Sequence, residues 1–293
     1  MSEINHIAFG FLTPVLAYAM SFTGALLGLQ CTTRARFASG RSRVLWLALG
    51  AVSIGGTAVW VMHFIAMLGF RVAGMEIRYD VPLTLVSALV AIIVVGFGIF
   101  VVGYGGNRLS ALLGGGMLTG LGVASMHYMG MAAMRMSGTV SYDPLILAAS
   151  VLIAVVAATA ALWFILRVSG HLSTTAAALV MGLAVSGMHY TGMAAMSVRG
   201  SADLAPPPTG ASAFDFLLPL LIGISLVSML LLVTIGLSLT EDEIRLEQQF
   251  EQQLQDLAER RELDGPASTF PSRLTSQVNG VEQTRGAEEP ARR

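Results

Sequence analysis

The chain has 293 residues, 54% of them apolar and only 12% charged, with a formal net charge of −1. Soluble domains carry about twice that charged fraction, so a soluble globular protein is excluded, and the near-neutral charge gives no footing for a nucleic-acid partner. All seventeen basic residues are Arg, and without a Lys amine to form a Schiff base a retinal pigment is excluded as well.

The apolar residues fall into seven blocks, roughly 7–30, 44–69, 81–103, 109–135, 143–168, 172–198 and 214–238. Each is long enough to cross the hydrocarbon core, which takes about 20 helical residues. Backbone groups in lipid must be bonded internally, so the blocks predict an all-α bundle of seven transmembrane helices. No basic region precedes the first block, which argues against a cleaved signal peptide. The single Cys31 ends the first block and reads as a small packing residue. The connections are short except at 199–213, where Pro206, Pro207 and Pro208 mark a loop.

Arg34, Arg36, Arg41, Arg43, Arg108 and Arg167 fall on one side of such a bundle, against Arg71, Arg78, Arg135 and Arg199 on the other. The richer side gains Arg245, Arg260 and Arg261 from the tail. The bias toward cytoplasmic Arg then puts the N-terminus outside and the C-terminus in the cytoplasm of a bacterial plasma membrane. The composition divides the chain into a membrane domain over 1–240, a polar helical extension over 241–263, and a tail over 264–293. That tail is rich in Pro, Ser, Gly, Glu and Arg and reads as disordered. Leu246, Phe250, Leu254 and Leu257 recur at helical spacing. They read either as a short homodimerising seam or as one face of a solvated helix. No folded catalytic domain fits after the membrane part, so the chain is expected not to be an enzyme.

The strongest signal is a repeat. Residues 120–134 and 182–196 agree at eleven of fifteen positions, in the pattern G-L-x-V-x-x-M-H-Y-x-G-M-A-A-M. A weaker third copy aligns Gly56, Val59, Met62, His63 and Met67 with Gly120, Val123, Met126, His127 and Met131. The copies fall on the second, fourth and sixth blocks, near the same end of each. His63, His127 and His189 are therefore predicted at one depth, in the outer half of the bilayer.

On a helix, positions i, i+4 and i+7 share a face. His127, Met131 and Met134 share one, as do His189, Met193 and Met196, and His63 shares one with Met67. Met62, Met126 and Met188 stand about a third of a turn away. Nine of the sixteen Met lie within the three motifs. Imidazole with thioether is a soft donor set that suits Cu(I) better than Zn, Mg or Ca. The candidate ligands are His63, Met67, His127, Met131, His189 and Met193. Met62, Met126, Met134, Met188 and Met196 stand around them. Tyr128 and Tyr190 read equally as hydrogen-bond partners of the ligands or as interfacial aromatics. Gly130, Ala132, Ala133, Gly192, Ala194 and Ala195 are small enough to let helices approach. His6 and His171 lie near helix ends and read as solvated, with His6 on the outer side. Asp80 and Asp143, each followed by Pro, read as helix N-caps.

Met188-His189-Tyr190-Thr191 spells the signature of the MHYT family of bacterial integral membrane sensor domains, and Met126-His127-Tyr128 and Met62-His63-Phe64 resemble its variant copies. SFTGALLG at 21–28 and VWVMHFIAMLGF at 59–70 are also similar to that family's first two helices. The resemblance covers about residues 6–240. It implies a seven-helix bundle with a copper site near the outer face, sensing oxygen, carbon monoxide or nitric oxide. Many relatives carry a cytoplasmic cyclic-di-nucleotide enzyme or kinase domain, and none is expected here.

The expected function is thus signal input: a copper ion, a diatomic ligand or redox change, and a cytoplasmic partner reading the tail. A copper transporter or storage protein is the alternative. It needs ligands toward the inner side, where Met20, Cys31, Met117 and Met181 are the few candidates. A haem protein is a further alternative, since His on helices can ligate haem iron axially.

Overall fold

The computed structural model describes residues 4–5, 8–200, 208–237 and 252–255. Packing divides the chain into Met1–Ser238 and Leu239–Arg293. In the second unit residues 252–255 are helical. The remainder of the expected seam, Leu246, Phe250 and Leu257, lies outside the described residues, as does His6.

Among the described residues, seven helices are long and apolar enough to cross a membrane, and the protein is a multi-pass membrane bundle in contact with lipid. They are α1 Leu12–Phe37, α2 Gly40–Leu68, α3 Val81–Gly105, α4 Leu109–Ala132, α5 Pro144–Arg167 and α6 His171–Ala194. The last is α7 Leu218–Leu237, entered through a π-helical turn at Ala213–Leu217. Within α2, residues Val52–Val61 are π-helical. The predicted caps are present. Asp80 Oδ1 accepts from the Leu83 N–H at 3.0 Å, and Asp143 Oδ1 accepts from Leu145 N–H at 2.8 Å. At the other end of α3 the chain leaves through Gly106 at φ +63°, a conformation that favours glycine.

The first six helices close into a ring. Helix α2 packs between α1 and α3, α4 between α3 and α5, and α6 between α5 and α1. Helix α7 packs against α1 and α2. Small residues make the crossings close: a Cβ on Gly24 would stand 2.4 Å from the Ala58 nitrogen, and one on Gly120 2.4 Å from the Val155 Cα.

The sequence blocks gave no sign of the short strands that tie one end of this ring. They are β1 Ile4–Asn5, β2 Arg71–Val72, β3 Arg78–Tyr79, β4 Met134–Arg135, β5 Thr139–Tyr142, β6 Met196–Arg199 and β7 Ala211–Ser212. The chain entering each odd helix pairs with the chain leaving the next even one: β1 with β2, β3 with β4, β5 with β6. Strand β7 adds to the free edge of β3. One backbone bond recurs beside each pairing: Ala8 N–H to Gly69 O, Asp80 N–H to Ala133 O, and Asp143 N–H to Ala195 O, at 2.8–2.9 Å.

At the opposite end, α1 runs to Phe37, seven residues past the apolar block. The Arg residues there bond to the backbone. Arg34 donates to the Ile235 carbonyl at 2.7 Å, Arg36 to that of Ile165, and Arg43, on α2, to that of Gly103. Each acceptor lies in the last turns of α7, α5 or α3, where carbonyls lack helical partners and the helix dipole favours a cation.

Candidate metal centre

The ring decides where the motifs meet. His63, His127 and His189 each lie five residues before the last residue of α2, α4 and α6. Alternate members of a closed ring point the same helix face at the axis, so three copies of one motif converge there. All three His are buried, with at most 1% exposure. Nδ1 of His63 lies 3.0 Å from Nδ1 of His189 and 3.1 Å from Nδ1 of His127. The rings stand nearly perpendicular, with centroids 4.9–5.1 Å apart. Among the described residues, no carboxylate or thiolate belongs to this group.

The other ring nitrogens point outward, and the glycines of the motif receive them. A Cβ on Gly130 would stand 2.4 Å from Nε2 of His63, and one on Gly192 would stand 2.4 Å from Nε2 of His127. Each imidazole of α2 and α4 thus rests on the backbone of the next even helix, three residues beyond that helix's own His. Nε2 of His63 and of His127 is buried without a hydrogen-bond partner. The polar chemistry of these rings is confined to the central nitrogens.

Three Nδ1 atoms meeting in a buried core are poorly served by hydrogen bonds alone. A neutral imidazole carries one N–H, and Nδ1 is either donor or acceptor. If His63 donates from Nδ1, one proton faces two lone pairs; if it accepts, one lone pair faces two donors. A cation bound by three Nδ1 lone pairs removes that conflict and satisfies each of them. The residues present therefore fit a metal ion, and the donor set is nitrogen only at its centre.

Met67, Met131 and Met193 lie one turn beyond the His on the same helices and are buried at 1–3% exposure. Met62, Met126 and Met188 are equally buried. Met134 and Met196 do not continue the His face. The helices end at Ala132 and Ala194, and these two Met lie in β4 and β6, opposite Tyr79 and Tyr142. The i+7 argument fails for them because the chain turns out of the helix to pair with the strand before α3 or α5.

Tyr128 is drawn away from the axis. Its hydroxyl lies 2.6 Å from the Ser150 hydroxyl on α5, while its ring meets His127 and Tyr142 edge-on. Ser87 on α3 plays the matching part for α2, accepting from the Trp60 indole N–H at 2.9 Å. Neither serine stood out in the sequence, although each lies seven residues after its capping Asp. The Tyr190 hydroxyl is buried without a partner. His171 is exposed at the start of α6, and Cys31 is buried.

Three consecutive matches to a family profile described as the MHYT bacterial signalling protein N-terminal repeat cover residues 56–115, 120–178 and 182–247. The chain belongs to the MHYT family. Over 194 residues, 64% of the chain, it is 41% identical to the bifunctional diguanylate cyclase/cyclic di-GMP phosphodiesterase MucR of Pseudomonas aeruginosa. Over 158 residues, 52% of the chain, it is 39% identical to the cyclic di-GMP phosphodiesterase NbdA of the same organism. Over 213 residues, 69% of the chain, it is 30% identical to the signalling protein YkoW of Bacillus subtilis. The matched region spans 27%, 20% and 26% of those relatives, so the likeness concerns about a quarter of each. No solved structure matches the chain.

Proposed function

We propose that this MHYT protein is a membrane signal-input device whose core is a copper ion held by His63, His127 and His189. The observation that carries the reading is the convergence of three buried Nδ1 atoms, 3.0 and 3.1 Å from one another across His63. Imidazole nitrogen with thioethers one turn away suits the monovalent, soft form of copper. Bound there, copper would supply a redox-active centre open to small ligands. The chain's own part is to seat the three rings on glycine, keep water out, and hold the ring helices in one arrangement.

Two rivals fit less well. A haem between any two of these His needs a slot for a macrocycle, and nitrogens 3.0–3.1 Å apart leave none. A copper conduit needs donors along the inner half of the ring. Of the inner candidates, Met117 is half exposed on the outer surface of α4, and Met181 lines the interior below the His as a lone thioether among mostly aliphatic side chains, one donor where a conduit needs several. A one-sided site supports sensing over transport. We further place the His end of the bundle on the outer side of a bacterial plasma membrane, from the Arg distribution. The membrane domain carries input without catalysis of its own. The output passes through the region after α7 to a signalling partner, of which the cyclic di-GMP enzymes named among the relatives are the model.

Metal content tests the centre. Detergent-purified protein is loaded anaerobically with Cu(I), beside the variant His63→Ala/His127→Ala/His189→Ala. One copper per chain in the parent, lost in the variant, is the expected result. Equal copper in both, or none in either, overturns the metal reading and leaves the His as an interhelical hydrogen-bond cluster.

A further inference from the structure

A groove lies off the ring axis, at the His end of the bundle. The start of α1, the end of α2, the chain from β2 to β3 and the entry to α7 border it, and its volume is about 900 Å³. Pockets that hold organic ligands occupy roughly 300–1,000 Å³. Leu12 opens α1, Leu68 closes α2 and Phe214 lies in the turn that enters α7, and all three line the groove. It therefore straddles the level at which the apolar helices give way to the strand layer.

The groove has two kinds of wall. On the helix side Phe9, Leu12, Leu16 and Phe214 are exposed apolar side chains. On the strand side stand Arg71 and Glu76. Glu76 is ion-paired with Arg78 at 2.8 Å. The other ion pair among the described residues joins Arg135 to Asp80. Arg71 thus keeps its charge uncompensated among the described residues, with its guanidinium 5.2 Å from the centre of the Phe9 ring. The first turn of α1 adds to the same sign. It has no side-chain cap and no acidic residue, so its unpaired N–H groups favour an anion. Thr13 in that turn lines the groove and is 6% exposed, and its hydroxyl is buried without a hydrogen-bond partner. A buried polar group in that state is costly until a partner arrives.

We propose that this groove binds one anionic phospholipid from the surrounding leaflet, with its phosphate at Arg71 and the first turn of α1 and an acyl chain along Leu12, Leu16 and Phe214. The planar guanidinium fork matches phosphate oxygens. A soluble anion would leave the apolar wall in water. A lipid without net charge would leave the excess charge of Arg71 unanswered. Met67, one turn beyond His63, also lines the groove, so the lipid lies against the repeated motif from its outer flank. The site stands on this lining and holds whether or not the imidazoles bind a metal.

The test uses the full chain, metal-free and in detergent, with dioleoyl phosphatidylglycerol or dioleoyl phosphatidylcholine added and bound lipid counted by native mass spectrometry. The parent is expected to keep one phosphatidylglycerol per chain in preference to phosphatidylcholine. Arg71→Gln should weaken that retention by about five-fold, the effect of one Arg at a charged headgroup, and Arg71→Lys should restore most of it. Phe214→Ala removes part of the apolar wall and should weaken retention as well. Arg199→Gln, exposed in β6 at the same end but outside the groove, should leave it unchanged. Equal retention of the two lipids, or parent-like retention in either Arg71→Gln or Phe214→Ala, overturns the proposal. Displacement of the lipid by inorganic phosphate would overturn it too, since the site would then read the anion alone. Because no metal is present, none of these outcomes depends on the copper reading.

Discussion

The Nε2 edge of His63 rests on the backbone of Gly130, where a Cβ would stand only 2.4 Å away. Contacts of that length do not persist, so Gly130→Ala must move the imidazole or separate α2 from α4. Overpacking of this kind costs about 1–3 kcal/mol. The same holds for Gly192→Ala against His127. The corresponding position on α2 is already Ala66, so Ala66→Gly is expected to be tolerated. Thermal unfolding of the three variants checks this, with loss of copper from Gly130→Ala and Gly192→Ala as the second readout. A parent-like melting temperature in both glycine variants would show that the rings are not seated as described.

The buried thioethers one turn beyond the His call for a separate test. Met131→Leu and Met193→Leu conserve volume, so their stability cost should stay below about 1.5 kcal/mol. If thioether completes the donor set, copper affinity falls in these variants while the fold is kept. If the three nitrogens suffice, affinity is unchanged. Competition with a chromophoric Cu(I) chelator separates the two outcomes.

The helices and the convergence of the three His were legible in the sequence for physical reasons. A membrane demands long apolar blocks, and three copies of one motif on alternate helices of a repeating hairpin must face a common axis. The ring nitrogen that faces inward was not legible, because it depends on Gly130 and Gly192 accepting Nε2. Those glycines read as helix-approach residues, and their partner is an imidazole rather than another backbone. The strands were hidden because pairings of two to four residues are too short to leave a periodicity. Met134 and Met196 were misplaced on that account, being assigned to helices that end two residues earlier. The Arg cluster at 34–43 was read as a topological signal alone. Arg34, Arg36 and Arg43 also cap the carbonyl ends of α7, α5 and α3, and the first two give α1 a reason to outlast its apolar block.

Orientation is open to direct labelling, since the lone Cys31 is buried and will not compete. Ala73 is exposed at the His end of the bundle, and Asn107 is exposed in the turn between α3 and α4 at the other end. With the N-terminus outside, Ala73→Cys reacts with a membrane-impermeant maleimide in intact cells. Asn107→Cys reacts only after permeabilisation. The reverse pattern would place the His cluster on the cytoplasmic side and remove the basis for an externally facing sensor.

Tyr79, on β3 just before α3, supplies a pH test of the strand layer. The residue is 2% exposed, and burial pushes its phenol above the ordinary value, an effect the nearby Arg71 partly offsets. A raised folded pKa means that the native protein holds the proton more tightly than the unfolded chain does. The contribution is therefore fully present below the unfolded value of about 10. It is lost as pH rises beyond that value toward the folded one, at no more than about 1.4 kcal/mol per pH unit for one group. Thermal unfolding of the detergent-solubilised protein between pH 8 and pH 11 (roughly the window either side of that unfolded value) should show stability falling at the alkaline end. Tyr79→Phe should flatten that fall while leaving the neutral-pH midpoint close to the parent's. An unchanged alkaline slope in Tyr79→Phe would mean that other phenols or the Arg network carry the effect, and that the pairing of β3 with β4 and β7 does not depend on a neutral Tyr79.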